Sequence, residues 1–164
     1  MGSEMCIRDS PISGHSSKDW GIEKYKVLIH LLSEKYKIII FGSSGDKGIK
    51  EFYGKNIYNM CGKMSLKEFG ALIKFSNFTV GGDSAATHIA AVFNKKALTI
   101  FSGAALYEEW HPYGKNSYIV YKDVVCRGCE LLECNRNHEC MDISPRKIYL
   151  IINNIIKGKI KKII

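Results

Sequence analysis

The sequence predicts an α/β fold, a parallel sheet with helices on both faces. Two kinds of observation predict it. Apolar runs such as Lys37-Ile38-Ile39-Ile40-Phe41 and Ala97-Leu98-Thr99-Ile100-Phe101 are continuous rather than alternating, as in strands buried on both sides. Between such runs lie segments whose apolar residues recur at helical spacing, Ile22, Tyr25, Leu28, Ile29 and Leu32 being the first. Strands that alternate with helices pair in parallel.

Met1 to Ser10 fit no element pattern, and Glu4, Arg8 and Asp9 interrupt any signal-peptide core. These ten residues read as a lead-in, disordered or foreign to the natural protein, and the domain as residues 11–164. Pro11 to Trp20 form a polar loop that feeds the helix beginning near Ile22. Hydroxyls, free N–H groups and Lys18 in that loop suit a pyrophosphate, while Trp20 reads as a hydrophobic plug. The strand Lys37–Phe41 closes on Gly42, Gly45 and Gly48. Their spacing is not that of a dinucleotide fingerprint or a P-loop. A helix is expected from about Asp46 to Tyr53, with Asp46 as its cap or a ribose contact. A short strand at Asn56–Asn59 precedes Ser65 and Glu68, which form a capping box for a helix ending near Phe75.

The sequence is organised around the next stretch. Phe78, Thr79 and Val80 read as a buried strand stopped by Gly81-Gly82. Asp83 follows, and Ser84 caps a small-residue helix through Ala85, Ala86, Ala90 and Ala91. A helix start presents unpaired N–H groups and partial positive charge, so it attracts anions, above all phosphate. His88 lies about one turn in. Asp83 repels phosphate and is better placed to fix the turn or meet a sugar hydroxyl or a cation. Strand Ala97–Phe101 then ends on Ser102-Gly103, Trp110 to Gly114 form an aromatic loop, and Tyr118–Tyr121 a last strand. Ser144 and Pro145 start a helix carrying Ile148, Ile151, Ile152, Ile155 and Ile156. Ligands of such sheets bind at the carboxyl ends of strands. The turns at Gly42, Gly82 and Gly103 are therefore expected to share one crevice with Lys18.

The chain has 164 residues and a formal net charge of +8, enough chain for one core. The charge suits an anionic partner, although scattered lysines account for most of it. No apolar run is long enough to span a bilayer. The basic terminal helix could lie on an anionic membrane surface, but a docked helix with a lysine tail is the preferred reading. Of six cysteines, Cys126, Cys129, Cys134 and Cys140 follow the pattern C-x2-C-x4-C-x5-C. Structural zinc, three disulfide pairings, an iron–sulfur cluster and unligated thiols all remain open. Arg127, Arg136 and His138 make a zinc-stapled basic binding module the alternative reading. Glu130, Glu133 and Glu139 dilute that basicity, so nucleic acid ranks low as a partner. Cys6 and Cys61 are unrelated to this cluster.

Several of these pieces, in this order, resemble glycosyltransferase family 9, the ADP-heptose:lipopolysaccharide heptosyltransferases. They are Lys18-x-Trp20, Gly62-Lys63-Met64-Ser65-Leu66, Asp83-Ser84-x-x-x-His88-Ile89-Ala90-Ala91, Trp110-x-Pro112 and Cys126-x-x-Cys129. The likeness runs from Pro11 to about Ile156 and implies a Rossmann-like domain, the C-terminal half of a two-domain GT-B enzyme. On the family pattern Ser16, Ser17 and Lys18 meet the donor diphosphate, Asp46 the ribose and Met64 the base. Asp83 faces the sugar, Ser84, Ala85 and Ala86 offer backbone N–H groups to phosphate, and His88 supports the loop.

The resemblance also implies an inverting transfer from a nucleotide-diphosphate sugar that requires no cofactor, in a cytoplasmic enzyme at the inner face of the membrane. Two departures stand out. Ala85 replaces a usual glycine, and the N-terminal domain is missing. In the family that domain carries the general base and the site for a lipid-linked glycan acceptor. This chain is therefore expected to bind donor and to transfer sugar poorly or not at all.

Overall fold

The computed structural model describes residues 4–8, 16–42 and 52–160. Among them the strands are β1 (Glu4–Arg8), β2 (Lys37–Phe41), β3 (Ile57–Asn59), β4 (Phe78–Gly82), β5 (Lys96–Ile100) and β6 (Ser117–Val120). The helices are α1 (Ile22–Ser33), α2 (Leu66–Phe75), α3 (Ala85–Val92), the single turn α4 (Tyr107–Trp110) and α5 (Pro145–Ile156). All strand pairs of the sheet are parallel, in the order β3-β2-β1-β4-β5-β6. Strand order reverses between β1 and β4. In doubly wound sheets a crevice opens at that point, above the carboxyl ends of the strands.

Successive side chains of a strand point to opposite faces, and each face has its own core. Ile38, Ile40, Val80, Leu98 and Ile100 pack with Leu28, Ile29 and Leu32 of α1 and Ile148, Ile152 and Ile155 of α5. Phe41 and Ala97 pack on the other face with Phe69 and Ile73 of α2 and Ala86 and Ala90 of α3. The apolar stripe of α5 is thus spent on the core, as the docked-helix reading expects. The capping box of α2 is present, with Ser65 and Glu68 each satisfying the other's backbone N–H.

Four expectations are corrected. Met1–Ser10 do not all lie outside the fold, because Glu4–Arg8 pair with both β2 and β4 at the centre of the sheet. A central position is granted by two neighbouring ladders, not by periodicity, and Met5 is buried there. Gly81 and Gly82 do not stop β4; they extend its pairing to Thr99 and Ile100. Trp110, expected to open the aromatic loop, instead ends the helical turn Tyr107–Trp110. Phe52 and Tyr53 are not helical, and the rest of the helix expected from Asp46 lies outside the described residues.

Candidate functional site

The switch point brings two sequence motifs together. The chain after β1 reaches a 3-10 turn at Ser16–Lys18, and β4 ends on Gly82 beside Asp83. A Cβ built at Gly82 would lie 3.9 Å from the Lys18 carbonyl oxygen, so the two turns are neighbours. Lys18 Nζ stands 2.8 Å from Asp83 Oδ2, with the side chains 27% and 11% exposed. His88 Nε2 approaches the other oxygen, Oδ1, at 3.7 Å. Asp83 thus stands between a lysine and a histidine. Lys18 keeps enough exposure to reach a ligand.

The start of α3 opens at the same place. Ser84 occupies the cap position, but its side chain makes no capping bond, and its buried Oγ has no hydrogen-bond partner. Thr87 N–H reaches the Ser84 carbonyl at 3.2 Å, so the amides of Ala85 and Ala86 precede the helical ladder. Such orphan donors are what an anion would meet. The expectation that Ser84 caps the helix is corrected: the residue has the cap's place without its bond. Ala85, exposed, needs no unusual backbone angle, since it is not among the residues with positive φ.

Next to α3 lies an apolar slot of about 260 Å³, lined by Phe41, Met64, Leu66, Phe69 and Ala85, with Gly42 at one edge. Its apolar walls suit an aromatic group. Met64 therefore sits where β2 and α2 flank the start of α3. Asp46 lies outside the described residues.

The four clustered cysteines line a second cavity, of about 140 Å³, together with Ser17, Gly103 and His138. All four are free thiols. Burial pushes the Cys140 thiol above its ordinary value. The donor chemistry fits a soft metal. Even so, no three His, Cys, Asp or Glu side chains among the described residues are gathered closely enough to hold an ion. The loop docks on the turn after β5 through Gly128 N–H to Gly103 O (2.6 Å) and Glu130 N–H to Ala104 O (2.9 Å).

Arg127 fastens the same loop to α4. It pairs with Glu108 and lies over the ring of Tyr107, 4.7 Å from its centroid. That ion pair holds the Glu108 carboxyl below its ordinary range. The bond to Tyr121 is the main cause that pushes Tyr107 up to about 12. Trp20 is buried with its Nε1–H bonded to Ile143 O at 3.0 Å, the plug expected beside Lys18. Sequence reading missed the contacts of Ser17 with Leu131, Leu132 and His138. They join segments more than a hundred residues apart and leave no local signal.

The family model of glycosyltransferase family 9 (heptosyltransferase) matches residues 8–138. The chain belongs to that family. Lipooligosaccharide heptosyltransferase 2 of Campylobacter jejuni is 26% identical over 154 residues, covering 87% of this chain and 48% of the relative. The Escherichia coli ADP-heptose LPS heptosyltransferase II has the same fold, with a TM-score of 0.75 at 20% identity, over 96% of this chain and 47% of that one. Escherichia coli heptosyltransferase WaaC with ADP gives 0.71 at 17% identity, over 94% and 44%. The chain spans about half the length of the curated relatives it matches. Within family 9 the sheet described above is therefore that of a heptosyltransferase-like GT-B half. No helix among the described residues is long and apolar enough to cross a membrane.

Proposed function

We propose that this chain is the donor-binding half of an inverting, heptosyltransferase-like glycosyltransferase of lipopolysaccharide or other cell-surface glycan synthesis. Its ligand is a nucleoside diphosphate sugar of the ADP-heptose class. One observation carries the reading: Lys18 and Asp83 meet across the sheet's switch point, beside the uncapped start of α3. In this reading Ser16, Lys18 and the amides of Ser84–Ala86 take the diphosphate. Ser17, buried with its N–H and hydroxyl given to Leu132 O and Leu131 O, holds the turn and does not meet the ligand as the family pattern implies. The slot around Met64 takes the base, and Asp83 faces the sugar, with His88 supporting the loop beside it.

The chemistry asks for stabilisation of a departing nucleoside diphosphate. Preorganised N–H groups and an ammonium supply it without a divalent metal. A base for the acceptor hydroxyl, and the lipid-linked glycan acceptor itself, come from outside this chain, at the inner face of the membrane. A zinc-stapled basic module is the weaker reading, because the thiol loop is hydrogen-bonded to the Ser16–Lys18 turn beside the proposed donor pocket.

Titration calorimetry with ADP tests the proposal. Lys18→Ala should weaken binding by about tenfold or more, the scale of a charge-assisted hydrogen bond. Unchanged affinity would remove the diphosphate assignment.

A further inference from the structure

The Ser16–Lys18 turn is held from far along the chain. Ser17 N–H donates to Leu132 O at 3.2 Å, and Ser17 Oγ donates to Leu131 O. Ser16 Oγ reaches Leu132 O at 3.5 Å. The Ser17 carbonyl faces His138 Nε2 at 2.8 Å. A carbonyl only accepts, so the ring carries its proton on Nε2. Both backbone polar groups of Ser17 are therefore committed to one loop, the loop that bears the thiols. Ser17 and His138 line the cavity that those thiols line. Lys18 follows Ser17 directly, and one peptide unit fixes where its side chain departs.

His138 itself sits in the left-handed region, with φ 53°, where a residue with a side chain is uncommon. The Met141 N–H to His138 O bond, 3.0 Å, starts the 3-10 turn Glu139–Met141. That segment is anchored below α1 by Lys24 Nζ donating to Met141 O at 2.7 Å. The imidazole is thus presented from a braced backbone to a single carbonyl.

We propose that His138 is a positioning residue for donor recognition. Its hydrogen bond to Ser17 O holds the turn from which Lys18 reaches the diphosphate, so the cysteine-rich loop sets the nucleotide affinity of the pocket. The inference rests on the donor-pocket reading above. It adds a residue outside the pocket, acting through the backbone of the turn that carries Lys18.

Two variants separate the hydrogen bond from the backbone. His138→Gly removes the donor and relieves the left-handed conformation. His138→Gln restores an N–H donor toward the same carbonyl. Calorimetry with ADP and amide hydrogen exchange at Ser17 and Lys18 are read on the full chain. In H138G the ADP dissociation constant should rise on the order of tenfold, as for one lost hydrogen bond, with faster exchange at both amides. H138Q should return both to within about threefold of wild type. Wild-type affinity and exchange in H138G would overturn the inference, as would H138Q behaving like H138G.

If H138G does not fold, exchange in the wild type with and without ADP decides. Ser17 and residues 131–138 should slow together, and slowing confined to Ser17 and Lys18 overturns the coupling. ADP that fails to bind wild type sinks the donor reading, and the affinity claim with it. ADP bound equally by wild type and H138G sinks this inference alone.

Discussion

Gly103 shows how closely the thiol loop is packed onto the sheet. A Cβ there would stand 3.1 Å from both Cys140 Cβ and Val124 Cγ2, tighter than side chains normally tolerate. Gly103→Ala should therefore cost about 1–3 kcal/mol, the usual range for overpacking, read as a lower urea midpoint. Cys140 offers a second check. Its raised pKa follows from burial, and the thiolate is the species that alkylates. At neutral pH iodoacetamide should label Cys140 more slowly than the less buried Cys126, Cys129 and Cys134, as followed by peptide mass spectrometry. Equal rates would mean that the loop opens faster than it is labelled. At this scale Lys18 and the cysteines were legible by residue type and spacing. The part of His138 was not, because a histidine's partner is set by where the chain returns.

Among the elements, α2 carries the clearest local code. Its capping box was read from Ser65 and Glu68 alone, and the bonds are present. The Ser65 backbone N–H, and then its hydroxyl, hold the Glu68 carboxyl below its ordinary value of 4.5. A carboxyl lowered in the fold stabilises it fully above that ordinary value. The contribution is lost as pH falls through the lower, folded value. The stability gap between wild type and Glu68→Gln should therefore be larger at pH 7 than at about pH 3, as measured by urea unfolding at both. For α5 the decisive feature is burial. Ile152 is fully enclosed between α5, α1 and the sheet, and Ile152→Ala should cost about 2–5 kcal/mol, seen as a lower thermal midpoint. Element ends were less legible than element centres. Gly81 and Gly82 look like a stop, yet β5 pairs with them and the strand continues.

At the scale of the whole molecule, the proposed function separates donor binding from sugar transfer. The proposed function puts the diphosphate, base and sugar positions on this chain and the acceptor and its base elsewhere. Purified chain given ADP-heptose should show a raised thermal midpoint, since a ligand that binds only the folded state stabilises it. Released ADP should stay at the uncatalysed background. Turnover would show that a base operates within these residues.

The sequence by itself determined the alternation of strands and helices, the small-residue helix after Gly82, and the cysteine loop, because each depends on neighbours along the chain. Family 9 kinship was also written there, in the order of short motifs. Only the tertiary structure decided that Glu4–Arg8 complete the sheet centre, that Lys18 turns to Asp83, and that His138 bonds to Ser17. Those outcomes depend on which distant segments share the switch point of the sheet. Proximity of that kind follows from strand order and packing, and no local pattern of residue types encodes it.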